Sequence, residues 1–541
     1  MSFEKTSRTL VQGYLKREGN KVVNGNGEEI LLTGLGIGNW LLPEGYMWLS
    51  KGCSRFDRPR RIEAVVKELT GKAYADSFWN SFRENYITEK DIEYIAKLGY
   101  NSVRIPLLWR LFMEEGEGIE WKDYGFTLLD QCINWCEKHK LYAFIDLHGA
   151  PGGQTGANID DCIDDVPRLF TDQDSWDKTI ALWVKIADRY KDRWIVGGYD
   201  LLNEPIRPKY VDGRDFDHLF DRLRQFYIDV IDAIRKVDKL HLFSIEGHHW
   251  STNTAIFDRI YDENMVIHFH RYGCKPDITA FTEFLELSEK WNLPLWLGET
   301  GENCSEWFAA LYSMSINLDI GYNLWPYKKM DCTNSPLSIK QPRDWDIVID
   351  YAKGGPHPGY HKARLILDEL LDNIRIENCN ENLQVSQAAL RKPGCTVLGI
   401  DFDELPGVGK SYQYNQRHLG QSDYRANTYM EIAKKESIEE NRFVFDSKWD
   451  ENVLRLNEGE FVCYGIQDIR INQGMWIYFN DIKGGELTIS QEDQVLSTVS
   501  MKGLSKETSY YVNLRPSEYS SIRIDVVEGK IELNKLVFTV E

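Results

Sequence analysis

Eight short, apolar segments rich in β-forming residues alternate with longer amphipathic segments between about residue 30 and residue 375. This alternation is typical of βα units around a parallel sheet, because each helix then covers a face of the sheet. The predicted strands cover residues 30–37, 101–106, 142–147, 198–203, 241–246, 265–270, 293–299 and 321–327. Eight strands of this kind close a barrel. The sequence therefore predicts an α/β fold, a (β/α)8 TIM barrel that forms a first domain over residues 1–375.

The pattern changes near residue 376, where short alternating segments are separated by Gly, Asn and Ser. Strands are predicted at residues 461–471, 474–479, 486–489, 510–514, 522–526 and 535–540. No amphipathic helix alternates with them, so residues 376–541 are predicted to form an all-β sandwich. Two domains fit a chain of 541 residues, since single cores stop growing near ~250–300 residues.

Charge and hydropathy restrict the partners of the chain. The formal net charge of −20 opposes nucleic-acid binding, which depends on cationic neutralisation of phosphate. No apolar stretch approaches the ~20 residues that span a bilayer, and Glu4, Lys5 and Arg8 interrupt the place of a secretory signal. The cysteines have neither zinc-ligand nor disulfide spacing. We expect a cytoplasmic protein with no nucleic-acid or membrane partner and no metal or cofactor; the sequence leaves its oligomeric state open.

Polar side chains recur at or just after the ends of most predicted barrel strands. In a TIM barrel the carboxyl ends of the strands meet at one face, which is where active sites lie. Any one of these residues alone would be an ordinary ion pair or a satisfied polar group, but their shared position indicates a site. The set is Arg104, Asp146, His148, Asn203, Glu204, His270, Tyr272, Glu299 and Trp325.

Two carboxylates in this set stand at the ends of the segments YDLLNEP and LPLWLGE, namely Glu204 and Glu299. Burial of two acids side by side separates their pKa values and yields one proton donor and one nucleophile. Cleavage of an acetal needs both, and a separation of ~5–5.5 Å leads to retention of configuration. Asn203 can hydrogen-bond a sugar hydroxyl, while Arg104 and Tyr272 can hold Glu299 ionised. An ion pair of Arg104 with Glu299 that is only structural is the alternative.

Several motifs over residues 28–370 together resemble glycoside hydrolase family 5, the cellulase family. They are ITEKDIEYIAKLGYNSVRIP, FIDLHGAPGGQTG, LLNEP, HRY, WLGETG and NLWPYK. The resemblance implies a retaining mechanism with Glu204 as general acid/base and Glu299 as nucleophile. It implies a surrounding shell and an aromatic platform beneath the sugar; the shell is Arg104, His148, Asn203, His270 and Tyr272, and the platform is Trp325. His268 is the alternative to His270, which is preferred because it forms the H-x-Y motif.

Within that family, GNWLLPEGYMW at residues 38–48 and DLHGAPGGQTG resemble the exo-β-1,3-glucanase and β-glucosidase branch. The resemblance implies that Glu44 binds the terminal sugar, although Gly45 and Tyr46 depart from the usual pattern and residues 51–74 match nothing in it. The predicted function is an exo-acting β-glucosidase, similar to a glucan 1,3-β-glucosidase, on an oligosaccharide or β-glycoside. The alternatives are an endo-acting β-1,4-glucanase or β-mannanase, and an inactive carbohydrate-binding protein.

Residues 400–541 resemble carbohydrate-binding modules of families 6 and 35, through FDELPGVGKSYQYNQRHLGQSDYR and LNEGEFVCYGI. The resemblance makes Tyr424 and Trp476 candidates for sugar contacts, with packing residues as the alternative. Asp401, Asp403 and Glu404 have the oxygen ligands that calcium prefers. The alternative for these three acids is an ordinary solvated loop.

Overall fold

The computed structural model describes residues 2–420, 422–435, 447–500 and 508–540. Its central feature is a closed barrel of eight parallel strands, in which each strand pairs with the next along the chain and the last pairs with the first. The barrel strands, β1 to β8, are Thr33–Gly36, Ser102–Leu108, Tyr142–Gly149, Val196–Asp200, Leu242–Glu246, Met265–Arg271, Leu295–Gly301 and Gly321–Trp325. All eight predicted strands are present, and the TIM-barrel prediction is confirmed.

Helices surround the barrel, and most of them bury one face; the helix Ser305–Asn317 is buried along almost its whole length. Labelled α1 to α11, they are Pro59–Thr70, Lys72–Tyr86, Glu89–Leu98, Asp123–His139, Gln173–Tyr190, Phe220–Ile234, Thr282–Trp291, Ser305–Asn317, Trp345–Ala352, Tyr360–Asn373 and Leu383–Ala389. Helix α3 begins at a reciprocal capping box between Thr88 and Asp91 and ends at Gly99, whose φ is 111°. These caps satisfy backbone groups that helix ends leave unpaired. Among the described residues, no helix is both long and apolar enough to cross a membrane.

The chain remains in contact with the barrel domain beyond α10, as far as α11. Strands β9 (Lys328–Met330) and β10 (Leu337–Ile339) follow the barrel, and β11 (Asn380–Glu381) returns to pair with β10. Next comes α11, whose last residue, Ala389, accepts a 2.6 Å hydrogen bond from the Tyr322 hydroxyl of β8. The proposed domain boundary between residues 375 and 376 falls inside this connection.

The C-terminal region is an antiparallel β-structure, in agreement with the all-β prediction. Nine of its described strands are hydrogen-bonded into one sheet. These strands, β12 to β20, are Thr396–Leu398, Tyr412–Gln413, Glu431–Lys434, Asn452–Asn457, Phe461–Ile469, Gly474–Gln491, Gln494–Ser500, Thr508–Asn513 and Ser517–Phe538. The two long strands β17 and β20 pair with each other and connect the shorter ones.

The strand lengths correct the sequence analysis. Residues 474–479 and 486–489 belong to one strand, β17, and residues 522–526 and 535–540 belong mostly to β20. The glycines that predicted breaks are instead accommodated in an irregular part of the ladder, where the register shifts between Lys483 and Gly485. Gly485 has a φ of 98°, and a Cβ there would lie 1.7 Å from the carbonyl oxygen of Glu528. Glycine thus permits the close approach of two strands without ending either.

The acids proposed for calcium lie between the barrel and the β-structure. Asp401 accepts hydrogen bonds from the Tyr424 hydroxyl at 2.5 Å and from Trp449 Nε1 at 3.3 Å. Asp403 lies 3.2 Å from Ser313 Oγ of helix α8. Both acids are buried, so the interpretation as a solvated loop is wrong for them. Among the described residues, the three predicted acids do not converge as a cluster of metal ligands.

The two aromatic candidates of the C-terminal region differ in exposure. Tyr424 is buried, and its hydroxyl also lies 3.2 Å from the carbonyl oxygen of Pro276 in the barrel domain. It is a packing residue of the contact between the two regions, which corrects its interpretation as a sugar-binding residue. Trp476 is 38% exposed and packs against Tyr511 with ring centroids 5.1 Å apart, so it stays a candidate.

Candidate active site

Arg104, on β2, is the centre of a buried cluster at the carboxyl ends of the barrel strands. Its guanidinium donates to Glu299 Oε2 at 2.6 Å and to Asn203 Oδ1 at 2.8 Å. It also donates to Asp200 at 2.7 Å and to Glu246 at 3.0 Å. One fully buried cation is thus shared among several acids, which fixes the positions of side chains from β2, β4, β5 and β7.

Glu204 and Glu299 face each other in this cluster. One oxygen of each carboxylate and one nitrogen of His270 all lie within 4.8 Å of one another. His270 Nδ1 is 2.7 Å from Glu204 Oε1 and 3.8 Å from Glu299 Oε1. Both carboxylates are almost buried, with 8% and 5% of their residue surfaces exposed. The barrel thus brings together two acids that are 95 positions apart in the sequence, as their positions at the strand ends predict.

The backbone around Glu204 holds its side chain in place. Glu204 follows β4 with a φ of 45°, an uncommon conformation for a residue with a side chain. Its amide donates to Glu246 Oε2 at 2.7 Å, and its carbonyl oxygen accepts from Thr155 Oγ1 at 2.8 Å. These two hydrogen bonds stabilise a turn that directs the carboxylate toward Glu299.

Glu299 is held in its ionised form. Burial by itself raises the pKa of this carboxyl group, but the positive charges of His270 and Arg104 outweigh burial and bring the pKa below its ordinary value. The Tyr272 hydroxyl adds a 2.8 Å hydrogen bond to Glu299 Oε1. A hydrogen-bonded, ionised carboxylate beside a second carboxyl group is the arrangement that a nucleophile requires.

His270 is the histidine that contacts the two carboxylates. Burial lowers its pKa, but the facing Glu246 and Glu299 carboxylates more than compensate and raise it well above the ordinary value. His268 lies behind it, with their Nε2 atoms 3.0 Å apart, and its Nδ1 is 2.8 Å from Ser244 Oγ. The structure thus places His270, rather than the alternative His268, against Glu204.

His148 and Asn203 form a second hydrogen-bonded pair. His148 Nδ1 lies 2.8 Å from Asp146 Oδ2, and its Nε2 lies 3.2 Å from Asn203 Nδ2. Burial, helped by the Arg104 charge, lowers the pKa of His148 to about 4. The ring is therefore neutral at pH 7, so its Nδ1–H donates to Asp146 and its Nε2 accepts from the Asn203 amide. This pair orients Asn203 beside Glu204.

Trp325 ends β8 and lines the site on the side of His148. The two rings are parallel within 6°, with centroids 5.3 Å apart. Gly36 and Gly38 make room for the indole, because a Cβ on either glycine would lie 2.3 Å from it. The indole Nε1 donates to the Tyr46 hydroxyl at 2.8 Å. The segment that departs from the exo-glucanase pattern therefore supports the predicted platform through Tyr46.

Glu44 is brought into the same site from the segment after β1. It is buried, and its Oε1 lies 3.9 Å from His148 Nε2. Among the described residues, no group hydrogen-bonds this oxygen. Burial, followed by the charges of Glu299 and Glu204, raises the pKa of Glu44 well above its ordinary value. The nine predicted residues at the strand ends and Glu44 thus lie together at one end of the barrel.

A layer of acids that the sequence-based prediction does not include lies beneath this site. Glu246, which ends β5, hydrogen-bonds both Arg104 and the amide of Glu204. Asp200, in β4, hydrogen-bonds Arg104 and lies 3.2 Å from His268 Nδ1. The rule that found Glu204, a charged residue at the end of an apolar strand, also applies to Glu246. No comparable signal marks Asp200, which lies within a predicted strand.

Two groups of metal-ligand type occur among the described residues, and both lie here. One is Glu246 with His268 and His270, and the other is Glu204 with His270 and Glu299. Their ligand atoms already hydrogen-bond one another or Arg104, whose buried positive charge opposes a second cation at the same place. The metal-free, cofactor-free site expected from the sequence stays a prediction.

Comparison with known proteins agrees with the barrel motifs. Residues 66–330 match the family model of the cellulases, glycosyl hydrolase family 5. The chain is 32% identical over 244 residues to a β-xylosidase of Phanerodontia chrysosporium, a match that covers 45% of this chain and 48% of that protein. It is 29% identical over 261 residues to a glucan 1,3-β-glucosidase of Candida oleophila, covering 44% and 58%.

A third relative is endoglucanase C of Acetivibrio thermocellus, 28% identical over 313 residues, with 46% of this chain and 86% of that protein covered. The chain spans about half the length of the β-xylosidase and somewhat more of the glucan 1,3-β-glucosidase. The matched residues 66–330 include β2 to β8 and every predicted site residue except Glu44. The family predicted from the sequence is confirmed: this part of the chain is a domain of the cellulase family, glycosyl hydrolase family 5.

Proposed function

We propose that the protein is a retaining β-glycosidase that removes the terminal sugar from β-linked oligosaccharides or β-glycosides. The observation that carries the proposal is the approach of the Glu204 and Glu299 carboxylates to within 4.8 Å at the carboxyl ends of the barrel strands. Double displacement uses a separation of ~5–5.5 Å, whereas inversion needs ~6.5–9.5 Å to leave room for a water. The short approach therefore supports retention.

In the first step, the ionised Glu299 attacks the anomeric carbon and forms a glycosyl ester. Glu204 gives a proton to the glycosidic oxygen as the bond to the leaving group breaks. Arg104 and Tyr272 each hold one oxygen of Glu299, which aims the carboxylate at the sugar. Trp325 would lie under the sugar ring, where an apolar face can stack.

In the second step, Glu204 takes a proton from a water molecule, which attacks the anomeric carbon from the side that the leaving group left. Two inversions give net retention of configuration. Glu299 is released as a carboxylate, and the hydrogen bonds from Arg104 and Tyr272 stabilise its returning charge. Asn203, oriented by His148, is positioned to hydrogen-bond a hydroxyl of the same sugar.

Glu44 supports exo action. Its buried Oε1, which no described residue hydrogen-bonds, is a ready acceptor for a hydroxyl of a terminal sugar. Next to it, Lys329 forms an ion pair with Glu302 and lies 5.5 Å above the Tyr46 ring. Asn334 also donates to Glu302 at 3.2 Å. These contacts bind the segments after β1, β7 and β8 together on the side of the sugar, as a pocket for one terminal unit requires.

The experiment that tests the proposal combines stereochemistry with labelling. Proton NMR of an aryl β-glucoside during hydrolysis should show the β-anomer as the first product. A 2-deoxy-2-fluoro-β-glucoside with a good leaving group should form a stable ester on Glu299, found by peptide mass spectrometry. First formation of the α-anomer, or a label on another residue, would reject the mechanism.

The alternatives of the sequence analysis are tested with other substrates. One relative named above is an endoglucanase and another a β-xylosidase, so a screen should include glucosides, mannosides, galactosides, xylosides and disaccharides. Release of longer oligomers from a β-glucan early in a time course would favour endo action. Binding of sugars without turnover of any aryl glycoside would favour an inactive carbohydrate-binding protein.

The domain division and the C-terminal region belong to the same proposal. We retain residues 1–375 as the catalytic domain and residues 376–541 as a domain similar to carbohydrate-binding modules. The exposed ring of Trp476 beside Tyr511 supports a sugar contact there. Loss of polysaccharide binding in Trp476→Ala, measured with the full chain, would support this role. The cytoplasmic location and the lack of a nucleic-acid partner stay predictions.

A further inference from the structure

We propose that Tyr210 and Trp250 form the binding site for the leaving group, and that this site favours leaving groups with a flat apolar face. The proposal rests on the function proposed above, because the roles of Glu204 and Glu299 define which part of a substrate leaves. Neither Tyr210 nor Trp250 belongs to the family motifs of the sequence.

Tyr210 lies in the segment that follows Glu204, after β4. Glu204 donates its proton to the glycosidic oxygen, so the leaving group must lie on the Glu204 side of the sugar. The chain runs from Glu204 to Tyr210 in six residues, held by amide hydrogen bonds from Ile206 to Gln154 and from Arg207 to Thr155, at 2.9 and 3.0 Å. Burial, followed by the charge of Glu204, raises the pKa of the Tyr210 phenol above its ordinary value. Tyr210 therefore lies on the same side of the site as the proton donor.

Trp250 reaches Tyr210 from the segment after β5. The amide of His249 donates to the carbonyl oxygen of Ile206 at 2.8 Å, so the segments after β4 and β5 are joined beside Glu204. The Trp250 ring meets the Tyr210 ring edge to face, with centroids 5.7 Å apart and an angle of 83° between planes. Two ring faces at nearly a right angle form a corner.

The backbone of the second segment is strained. His249, Trp250 and Ser251 have φ values of 55°, 58° and 58°, three successive left-handed residues without a glycine among them. Such conformations persist only where the surrounding structure holds them, and they cluster at functional sites. Here the Ser251 hydroxyl donates to the carbonyl oxygen of His268 at 3.2 Å. The strain places the indole of Trp250 beside Tyr210.

Two apolar side chains near Glu204 in the chain are exposed. Tyr210 is 77% exposed and its neighbour Val211 is 40% exposed, although Glu204, six positions before Tyr210, is buried. Exposed apolar side chains in such a place mark a surface that a ligand covers. A corner of two aromatic faces suits an aryl or alkyl group, which gains from stacking and from leaving water.

The test compares substrates that share a sugar and differ in the leaving group. Octyl β-glucoside and phenyl β-glucoside represent apolar leaving groups, and laminaribiose and cellobiose represent a second sugar. We expect Tyr210→Ala and Trp250→Leu to lower kcat/KM for the two apolar glucosides by about 3- to 10-fold, the scale of one aromatic pair. The disaccharides should change by less than about 2-fold.

The leaving group departs in the first half-reaction, so hydrolysis of the glycosyl ester should keep its rate in both variants. Burst kinetics with 2,4-dinitrophenyl β-glucoside measure that rate. Tyr360→Ala is a matched control, since Tyr360 is 50% exposed at the start of α10 on the outside of the barrel, and it should change neither class of substrate. Trp250→Phe, which keeps an aromatic face, should retain most of the activity on apolar glucosides.

Three results with folded Tyr210→Ala would overturn the inference. They are an equal loss on both classes of substrate, no loss on either class, and a loss confined to the disaccharides, which would make the corner a site for a second sugar. Failure of the proposed function itself would look different, because the unmodified protein would then hydrolyse none of the four substrates.

Discussion

The Tyr272 hydroxyl donates a 2.8 Å hydrogen bond to Oε1 of Glu299, the carboxylate oxygen opposite the one that Arg104 holds at 2.6 Å. Tyr272 follows β6 and Glu299 lies in β7, so adjacent strands of the barrel fix the pair. Both interactions favour the charged carboxylate, and both weaken when the charge is lost on formation of the glycosyl ester. The hydrogen bonds from Tyr272 and Arg104 therefore affect both the pKa of Glu299 and the rate of turnover.

Tyr272→Phe is expected to lower kcat/KM and to move its acidic limb to higher pH. The hydrogen bond lowers the pKa of Glu299, so its removal raises that pKa and leaves less nucleophile ionised in acid. A hydrogen bond to a charged group contributes about 1.5–3 kcal/mol, which corresponds to roughly 10- to 100-fold in kcat/KM. Full pH profiles and melting curves test this. An acidic limb that does not move would contradict the role of Tyr272.

Glu299→Ala is expected to lower turnover by at least about 10⁴-fold, the scale on which removal of one member of a catalytic unit acts. The shortened side chain leaves space beside the anomeric carbon for a small anion. Azide should then restore turnover of an activated β-glucoside and yield the α-glucosyl azide, identified by NMR. Glu302→Ala, which changes an acid only three positions away, is the control and should show no azide product. A β-azide from Glu299→Ala would assign the nucleophile to another residue.

Glu204→Ala should separate substrates by the quality of their leaving group. A general acid contributes about 10²- to 10⁴-fold where the leaving oxygen needs a proton. Methyl β-glucoside should lose that factor, whereas the first step with 2,4-dinitrophenyl β-glucoside should keep its rate, because dinitrophenolate leaves without protonation. Single-turnover kinetics measure this step. Identical losses on both substrates would contradict proton donation by Glu204.

Glu44→Gln is expected to stabilise the free protein at neutral pH while weakening substrate binding. Burial raises the pKa of Glu44 in the folded state. Below about pH 4.5 the group is protonated in both states, and as pH rises the unfolded chain ionises first, so the native protein loses stability. The difference in Tm between Glu44→Gln and the unmodified protein should therefore grow as pH rises above about 4.5. Glu117→Gln, at an exposed site, should show no such trend.

The strand ends explain how much of the site the sequence could predict. Most of the predicted residues lie at or just after the end of an apolar segment, and barrel geometry brings such ends together. Arg104 is an exception, because it lies within β2. Glu246 also ends an apolar segment, but no family motif marks its strand, so it was not predicted as a site residue. Asp200 could not be found, because its contacts with Arg104 and His268 depend on how side chains inside the barrel stack.

The C-terminal region shows a different limit. Gly484, Gly485 and Gly529 predict turns when only the local sequence is considered, since glycine weakens strands. In the structure, the backbones of β17 and β20 approach so closely here that a Cβ on Gly485 would collide with the carbonyl oxygen of Glu528, and one on Gly529 with that of Gly484. Whether a glycine ends a strand or permits a close approach depends on the partner strand, which is distant in sequence.

The carboxylate oxygens of Asp401 and Asp403, at the contact between the two regions, are all used in hydrogen bonds. Both oxygens of Asp401 already accept hydrogen bonds, from Tyr424 and Trp449. Asp403 is likewise occupied, since one oxygen faces Ser313 and the amide of Gly465 donates to the other at 2.6 Å. Asp403 thereby joins helix α8 to β16, and neither carboxylate has an oxygen left for calcium. EDTA or added calcium should thus leave the Tm unchanged.

Asp401→Ala should lower the free energy of unfolding by about 1–3 kcal/mol for each buried donor that it leaves unpaired. Because Tyr424, which donates to Asp401, also contacts Pro276 of the barrel, the loss should be seen in the inactivation of glycoside hydrolysis as well as in the melting of the β-sheet, with both moving to lower temperature. Asp493→Ala, at an exposed position, should move neither. A Tm that rises with calcium, in the unmodified protein but not in Asp401→Ala, would show instead that these acids bind metal.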